Sequence, residues 1–281
     1  MSSIDRALAA FEPISLDSAN HVAELQTRID RKYVVDEATL VGLLDAMPVG
    51  VRVLEIDGRR SCEYRSTYFD TDDLSLFRAA AQGRRQRYKV RSRRYGDAGP
   101  CYLEVKAKGR RGAIVKSRIA YRRSEHDAIT PDGRDFVEEM TGFHDLASAL
   151  LPVLETAYER STLIDPVSGT RLTVDRRLRC GGRSTSPLDG AAARAAVFDG
   201  IVVETKSARA ASAADRWLWQ HHVRPATISK FCTGLAALHP DLPANKWHRV
   251  IARHWKTPTI GPAATHPTID SSPDVRHCCG G

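Results

Sequence analysis

Cationic side chains occupy every second position of one short segment, residues 87–95 (RYKVRSRRY). Side chains two residues apart point to the same face of a β-strand. If this segment is a strand, Arg87, Lys89, Arg91 and Arg93 stand in one row, and such a row repels itself. Arg also suits two-pronged hydrogen bonding to phosphate. The segment therefore predicts a strand along which a polyanion binds.

Other strand-like segments repeat the pattern. Charged residues share a face in pairs or triplets that include Asp30 and Lys32, Glu104 and Lys106, Lys116 and Arg118, Arg171 and Asp175, and Glu204 and Lys206. The solvent-facing side of a half-buried antiparallel strand would explain any one of them. Because Arg and Lys dominate in nearly every strand, and the opposite faces are apolar enough to pack under helices, we expect the charged faces to converge.

The carboxylates within these rows have two possible roles. Glu104 and Glu204 stand in matching E-x-K patterns on separate strands, and Asp30 precedes Lys32 in the same way. A carboxylate beside phosphates can hold Mg²⁺ or Mn²⁺, which prefer oxygen ligands. A cross-strand ion pair with a neighbouring cation is the alternative, and the pattern leaves both open.

Local patterns predict the elements that position these side chains. Asp36 and Ser212 are expected helix N-caps, and Thr71 or a following Asp is expected to cap a third helix. Alternation and short Gly-containing turns predict strands and hairpins. The expected strands are 25–35, 50–57, 61–70, 87–95, 101–108, 113–123, 155–164, 171–178 and 200–207, and the expected helical regions are 36–46, 71–81, 131–151, 212–222 and 227–239.

Together these elements predict an α+β fold, in which about eight antiparallel strands form a barrel or strongly curved sheet with helices at its periphery. Residues 1–24 are expected to form a mixed N-terminal lead, and residues 25–256 the folded domain. Residues 181–198, rich in Gly, Ser and Ala, are expected to be a surface loop or insertion. Residues 257–281, rich in Pro, Ser and Thr, are expected to be a disordered tail.

Composition narrows the partners and the compartment. The 281 residues include 42 Lys+Arg and 34 Asp+Glu, for a formal net charge of +8, which favours polyanionic partners. No apolar run approaches the roughly 18 residues that span a bilayer, and the N-terminus lacks the apolar core of a signal peptide. Six cysteines without metal-ligand spacing make a reducing cytoplasm the simplest location. Nucleic acid is not expected, because Tyr88 points away from the cationic row and Tyr95 stands only at its end, so no aromatic rings lie between the cations to stack bases.

Eight motifs follow one another in order between about residues 25 and 250. They are TRIDRKYVV, STYFDTDDLSLFRA, KVRSRRYG, YLEVKAKGRRGAIVKSR, AYERSTLIDP, RLTVDRRL, VVETKS and ISKF. Together they resemble the catalytic domain of the vacuolar transporter chaperone (VTC) family, polyphosphate polymerases of the CYTH-like, triphosphate tunnel metalloenzyme superfamily. The resemblance implies a closed eight-stranded antiparallel tunnel whose basic interior binds a nucleotide triphosphate and the growing chain.

The resemblance also implies roles for individual residues. The expected catalytic, phosphate-binding set is Lys32, Arg91, Arg93, Lys106, Arg160 and Arg171. The expected substrate-binding set is Arg78, Lys89, Lys116, Arg118, Lys206 and Lys230, in which Arg78 is the loosest match because its spacing differs. Glu204 matches the metal-binding glutamate, for Mn²⁺ or Mg²⁺. Arg94 stands where the family pattern has Trp.

The implied reaction moves the terminal phosphoryl group of ATP to a polyphosphate chain, so ATP and polyphosphate are the expected partners. Two alternatives remain open. A tunnel triphosphatase would use water as acceptor, with Glu104 or Asp175 available as a base, although residues 28–32 (RIDRK) carry one acidic residue where the hydrolase signature has two. A non-catalytic polyphosphate binder is the other alternative. No transmembrane segment is expected, and a membrane partner protein stays unknown.

Overall fold

The computed structural model of the protein describes residues 1–22, 29–108, 114–182, 194–208 and 210–256. Its strands are β1 (Glu12–Ile14), β2 (Ile29–Val35), β3 (Arg52–Leu54), β4 (Cys62–Asp70), β5 (Arg87–Tyr95), β6 (Cys101–Lys108), β7 (Ile114–Ala120), β8 (Leu151–Asp165), β9 (Thr170–Gly182), β10 (Ala195–Phe198), β11 (Ile201–Ser207) and β12 (Trp255–Lys256). Its helices are α1 (Ser3–Ala9), α2 (Leu16–Val22), α3 (Glu37–Asp45), α4 (Ser75–Ala81), α5 (Pro131–Thr141), α6 (His144–Ala149), α7 (Ala213–Gln220), α8 (Lys230–Leu238) and α9 (His248–His254).

Eight of these strands form one continuous antiparallel path in the order β2, β11, β9, β8, β4, β5, β6 and β7. The shorter strands extend its margins: β10 and β12 continue from β9, while β3 and β1 continue from β8. The α+β class and the antiparallel arrangement are therefore as predicted.

The expected closed barrel is not what the hydrogen bonds show. Within the described residues, no ladder joins the two ends of the path, β2 and β7. Part of the edge of β2 is covered by the chain after α7, because the Ala226 N–H donates to the Lys32 carbonyl at 2.7 Å. The sheet is nevertheless curved enough for Lys106 on β6 to feel the charges of Lys32, Glu204 and Lys206 on β2 and β11.

A bulge in β9 divides the sheet into two regions. Arg177 has a positive φ of 52°, and the register between β8 and β9 shifts between Ala157 and Glu159. Such a bulge bends its strand and changes which residues face inward. Before the bulge, β9 pairs with β11; beyond it, β9 pairs with β10. Leu178 and Cys180 beyond the bulge join the apolar cluster around α8.

Apolar side chains cover the convex side of the sheet. Alternate residues of β2, β9 and β11 pack against α3 and α7, as Val174 and Val203 do with Leu40 and Leu218. Alternate residues of β5 and β6 pack in the same way against α5 and α6. The intervening, charged residues of these strands therefore face the concave side, as the alternation predicted.

Several predicted boundaries differ from the observed ones. The helix expected over 71–81 begins at Ser75, and Leu74 occupies its N-cap position. The Thr71 hydroxyl still accepts a hydrogen bond from the Ser75 N–H at 2.9 Å, and the Asp70 carboxylate accepts from the N–H groups of Leu76 and Phe77, both at 2.8 Å. The helical region 131–151 is two helices, because Gly142 ends α5 with a positive φ of 74°.

Other predictions are met or lie outside the described residues. Asp36 and Ser212 cap α3 and α7 as expected. Residues 195–198, expected within a loop or insertion over 181–198, form β10 because they pair with β9. The start of the strand expected at 25, the whole turn at 109–112 and the tail after 256 fall outside the described ranges.

One buried carboxylate ties α7 to the back of β2 and β11. Asp215 is fully buried and accepts hydrogen bonds from the Tyr33 hydroxyl at 2.7 Å and the Thr205 hydroxyl at 2.6 Å. It also accepts from the Ser212 N–H at 2.7 Å, and Arg31 approaches it at 3.3 Å. Because Tyr33 and Thr205 alternate with Lys32, Glu204 and Lys206, this cluster holds the strands that carry those charged side chains.

Asp215→Ala should lower the free energy of unfolding by about 3 kcal/mol, since it leaves the half-buried Arg31 and several buried donors without their acceptor. Urea titration of both proteins measures the difference. Asp36→Ala, which removes an exposed N-cap, is the control and should cost only about 1 kcal/mol. Equal losses for the two variants would contradict the role assigned to Asp215.

Candidate functional site

Alternation brings the charged rows of eight strands together on the concave side of the sheet, here called the lumen face. The side chains that define it are those of Lys32, Tyr64, Tyr68, Lys89, Arg91, Arg93, Tyr95, Tyr102, Glu104, Lys106, Lys116, Arg118, Tyr158, Arg160, Arg171, Asp175, Glu204 and Lys206. Lys230 joins them from α8.

Glu104 is held between cations from two neighbouring strands. The Arg91 Nε donates to its Oε2 at 2.7 Å, and the Lys116 amine pairs with its Oε1. The side chain of Glu104 is only 2% exposed. Burial opposes its ionisation, but the charges of Arg91, Arg93 and Lys116 outweigh burial and lower its pKa to about 2. Glu104 is therefore an ionised partner for the cationic rows.

Asp175 has the same role on β9. Arg160 donates to both of its carboxylate oxygens, at 2.5 and 2.7 Å, and the Lys230 amine pairs with Oδ2. Burial opposes ionisation here too, yet Arg160 and Lys230 hold the pKa of Asp175 below its usual range. The paired strands β8 and β9 and the helix α8 are thereby linked through one carboxylate.

Glu204 lies between lysines of β2 and β11. Lys206 Nζ is 3.3 Å from its Oε1 and 3.9 Å from the Asp30 Oδ2. Burial opposes ionisation of Glu204, but Lys32, Lys206, Arg160 and other cations lower its pKa to about 2. Burial lowers the pKa of Lys32, and despite the opposing charge of Glu204, the nearby lysines lower it further.

Glu204 could bind a divalent ion only in a site where the protein supplies few of the metal ligands. The described residues contain no cluster of three or more His, Cys, Asp or Glu side chains able to hold a metal. Mg²⁺ commonly uses one or two carboxylates and takes its remaining ligands from substrate phosphates and water. Glu204, with Asp30 near the same lysine, matches that donor set. Its ionised state matches it too, because a ligating carboxylate must be deprotonated.

The start of α8 reaches the lumen face. Ser229 is its N-cap and accepts hydrogen bonds from the Cys232 N–H at 3.2 Å and from Lys89 Nζ at 2.7 Å. Lys32 Nζ is 3.4 Å from the Ile228 carbonyl, and Phe231 stacks on Tyr68 with ring centroids 5.0 Å apart. The positive end of the helix thus adds to the cationic character that favours phosphate.

Contacts between strands join most of the predicted residues into one site. Arg93 and Arg160 both lie over the stacked rings of Tyr64 and Tyr158, at 5.1–6.0 Å. Lys89 and Lys106 lie close enough to Lys32 for their charges to interact. Lys116 forms an ion pair with Glu104, and Arg171 lies opposite Lys206 in the pairing of β9 with β11. Arg118 lies over the Tyr102 ring.

Arg78 is the predicted residue that the structure does not bring into this group. Its side chain is exposed on α4, and its Nε donates to the Asp73 carbonyl at 2.8 Å. The reason is that α4 buries Leu76, Phe77 and Ala80 and leaves Arg78 on its exposed face. A substrate-binding role for Arg78 therefore has no support from its position.

The predicted site residues did not include the tyrosines of the lumen face or Lys246. Tyr64, Tyr68 and Tyr158 share the inward parity of their strands, so alternation could have found them. Lys246 comes from the short 3₁₀ helix Asn245–Trp247 after α8 and feels the charges of Arg87, Lys89 and Lys108. No alternating pattern around residue 246 predicts that Lys246 lies near these cations.

Comparison with known proteins places the chain in a family. The VTC domain model matches residues 27–239, more than half of the chain. The chain belongs to the VTC domain family, and that membership supports a function in handling phosphoryl groups inside a basic cradle. No curated protein matches it.

Solved structures resemble the chain only distantly. A proposed adenylate cyclase from Vibrio parahaemolyticus is 14% identical with a TM-score of 0.42, over 73% of this chain and 96% of that one. A Hippeastrum protein, described as a proposed adenylyl cyclase with a dominant triphosphatase activity, is 15% identical with a TM-score of 0.45, over 74% and 95%. A Pyrococcus horikoshii protein is 10% identical with a TM-score of 0.42, over 74% and 95%. Likenesses this weak carry no argument about activity.

Among the described residues, no helix is long and apolar enough to cross a membrane.

Three side chains of the lumen face titrate near pH 8. Burial lowers the pKa of Lys106 to about 8, with help from Lys32 and Lys89. Burial and the nearby Arg91 and Arg93 outweigh the opposing charge of Glu104 and lower the pKa of Lys116 to about 8. Burial opposes ionisation of Tyr68, but Arg91 and Arg93 lower its pKa to about 8. Above pH 8 the lysines lose positive charge and Tyr68 gains negative charge.

Polyphosphate affinity should therefore be highest below pH 8 and fall as pH rises above it. The loss should reach up to about tenfold per pH unit for each group that takes up a proton on binding. Titration of metal-free protein with polyphosphate between pH 7 and 10 measures this slope, and Lys106→Met should make it shallower. A constant affinity across that range would contradict the assignment.

Proposed function

We propose that the protein is a polyphosphate polymerase that transfers the terminal phosphoryl group of ATP to a polyphosphate chain. The observation that carries the proposal is the lumen face itself. There, cations from several strands surround the buried carboxylates Glu104, Asp175 and Glu204, each already paired with Lys or Arg. The cations outnumber these partners, so the excess positive charge is available to a polyanion.

The reaction needs no protein nucleophile. A terminal oxygen of the chain attacks the γ-phosphorus of ATP, and the bond from that phosphorus to the bridging oxygen breaks. ADP leaves with the bridging oxygen, and the chain grows by one phosphate. The attacking and leaving oxygens both carry negative charge, so the lumen cations act by aligning them and by neutralising charge as it shifts. When bound, Mg²⁺ or Mn²⁺ held by Glu204 and substrate oxygens would neutralise further charge on the transferred group.

The state of the carboxylates argues against the hydrolytic alternative. Attack by water requires removal of a proton, and an efficient general base has a pKa near the working pH. Glu104 and Glu204 have pKa values of about 2, and that of Asp175 also lies below its usual range. All three are weak bases at neutral pH, so none of these carboxylates is suited to activate water.

Products distinguish the candidates directly. Purified protein is incubated with ATP and Mn²⁺, and the mixture is tested for chains by gel electrophoresis and for free phosphate. We expect chains together with ADP. Release of phosphate without chains would overturn the proposal in favour of a triphosphatase, and neither product would leave a polyphosphate-binding protein.

Arg93→Ala should lower both polyphosphate affinity and turnover by about ten- to a hundredfold, because a charged hydrogen bond contributes roughly 1.5–3 kcal/mol. Arg94→Ala is the matched control. Arg94 neighbours Arg93 on β5 but points to the convex side, where it pairs in register with Arg65 and Cys101. Binding titrations and initial rates are compared for both variants. Equal damage from Arg94→Ala would show that the alternation assigned to β5 is wrong.

Glu204→Gln should separate binding from chemistry. The substitution keeps the shape of the side chain but removes its negative charge, so metal-dependent turnover should be lost. Polyphosphate binding without metal should be retained or become tighter, because one repulsive charge is gone. The measurements are turnover with Mn²⁺ and binding in the presence of a chelator. Full turnover in Glu204→Gln would remove Glu204 from the metal site.

A further inference from the structure

The lumen-facing rows of β5 and β6 change from charged to aromatic at one end. Along β5, Arg91 and Arg93 are followed on the same face by Tyr95, and along β6 Tyr102 stands two residues before Glu104. The rings of Tyr95 and Tyr102 are 6.0 Å apart and nearly perpendicular, at 83°. Both side chains are half-buried, so part of each ring stays accessible. An aromatic surface therefore adjoins the cationic row.

This aromatic end is continuous with the phosphate-binding arginines. The Arg93 guanidinium lies 5.4 Å from the centre of the Tyr64 ring, and the Tyr64 ring lies 4.8 Å from that of Tyr95. On the other side, the exposed Arg118 guanidinium lies 4.4 Å from the centre of the Tyr102 ring. Planar rings and one planar guanidinium thus follow directly after Arg93.

The opposite end of the same two strands is cationic. Arg87 and Lys108 face each other across β5 and β6. Lys246 lies close enough to feel both charges and that of Lys89. Lys89 in turn contacts the N-cap of α8. The two ends of these rows therefore offer different chemistry: rings and a guanidinium at one, and a cluster of cations at the other.

We propose that a nucleoside triphosphate binds with its base against Tyr95, Tyr102 and Arg118 and its phosphates along Arg93 and Arg91. The proposal rests on the proposed function, which requires a nucleotide donor, and adds where its base lies. Bases stack on aromatic rings and on Arg planes with little dependence on sequence. This orientation puts the α-phosphate nearest Tyr95 and the γ-phosphate deepest, so the acceptor chain extends toward Lys89, Arg87 and Lys108.

A second aromatic surface provides the matched control. A cavity of about 690 Å³ near the other end of β5 is lined by Tyr88, Phe143, Arg84 and Arg87 among others. Tyr88 belongs to the convex side of the strand, where it packs with α5 and α6. The cavity is large enough for a nucleoside, but its aromatic lining is on the side opposite the phosphate row. The proposal therefore requires that Phe143 have no part in nucleotide binding.

The test compares two ligands that share a triphosphate but differ in the nucleoside. Affinities for ATP and for inorganic tripolyphosphate are measured by calorimetry on the full chain in a chelator, for the unsubstituted protein and for variants. Tyr102→Leu should lower ATP affinity by about tenfold, in the range of losses seen when a stacking ring is removed. It should leave tripolyphosphate affinity unchanged. Tyr102→Phe keeps the ring and should keep ATP affinity, and Phe143→Ala should change neither.

Each other outcome overturns the proposal in a recognisable way. An equal loss for both ligands in Tyr102→Leu would mean that Tyr102 supports the phosphate site instead of a base. A loss of ATP affinity in Phe143→Ala would move the base to the other cavity. In both cases, tripolyphosphate binding that depends on Arg93 would leave the proposed function standing. If tripolyphosphate fails to bind, or binds without regard to Arg93→Ala, the proposed function fails as well.

Discussion

Repulsion among cations on one concave face is the constraint on which the rest of the structure depends. Charges removed from water cost several kcal/mol each unless they are paired. Glu104, Asp175 and Glu204 meet this cost in three different places. Glu104 and Asp175 each pair with cations from two elements, whereas Glu204 pairs with Lys206 on its own strand and lies near the charge of Lys32 on β2. The carboxylates thus hold the sheet together and at the same time place the remaining cations for a polyanion. Neutralising every cation would stabilise the empty protein further but would leave nothing to bind phosphate.

The fold was predictable from the sequence where alternation is strict. The segment RYKVRSRRY coincides with β5, and CYLEVKAK with β6, because each has one apolar and one charged face. Prediction failed where tertiary contacts override local signals. The start of α4 depends on Asp70 and Thr71, which precede the helix and whose side chains accept hydrogen bonds from the N–H groups of its first turn. β10 forms because β9 bends at Arg177 and its following residues offer an edge for pairing. The sequence of residues 195–198 alone does not predict this strand.

The sequence predicted which residues belong to the candidate site better than it predicted which of them contact one another. Side-chain parity places Arg91, Arg93 and Glu204 on one face, but parity says nothing about curvature. Only the folded sheet shows that Lys106 on β6 approaches Glu204 on β11. The same limit applies to Arg78, whose motif resembles the family pattern but whose side chain lies on the exposed face of α4. The tyrosines of the lumen face obey the same alternation but carry no charge, so a charged pattern alone does not identify them as site residues.

The pairing of the carboxylates also bears on which phosphoryl acceptor the site can use. A carboxylate that is paired tightly enough to stabilise a buried cation has a low pKa, and a group with a low pKa is a poor base. The ion pairs that allow Arg91 and Arg160 to stand on the lumen face therefore work against activation of water by Glu104 or Asp175. A phosphate acceptor needs no such base, because its oxygen is already charged and requires only alignment. Stability of the empty cradle and the proposed preference for a phosphate acceptor thus share one physical cause.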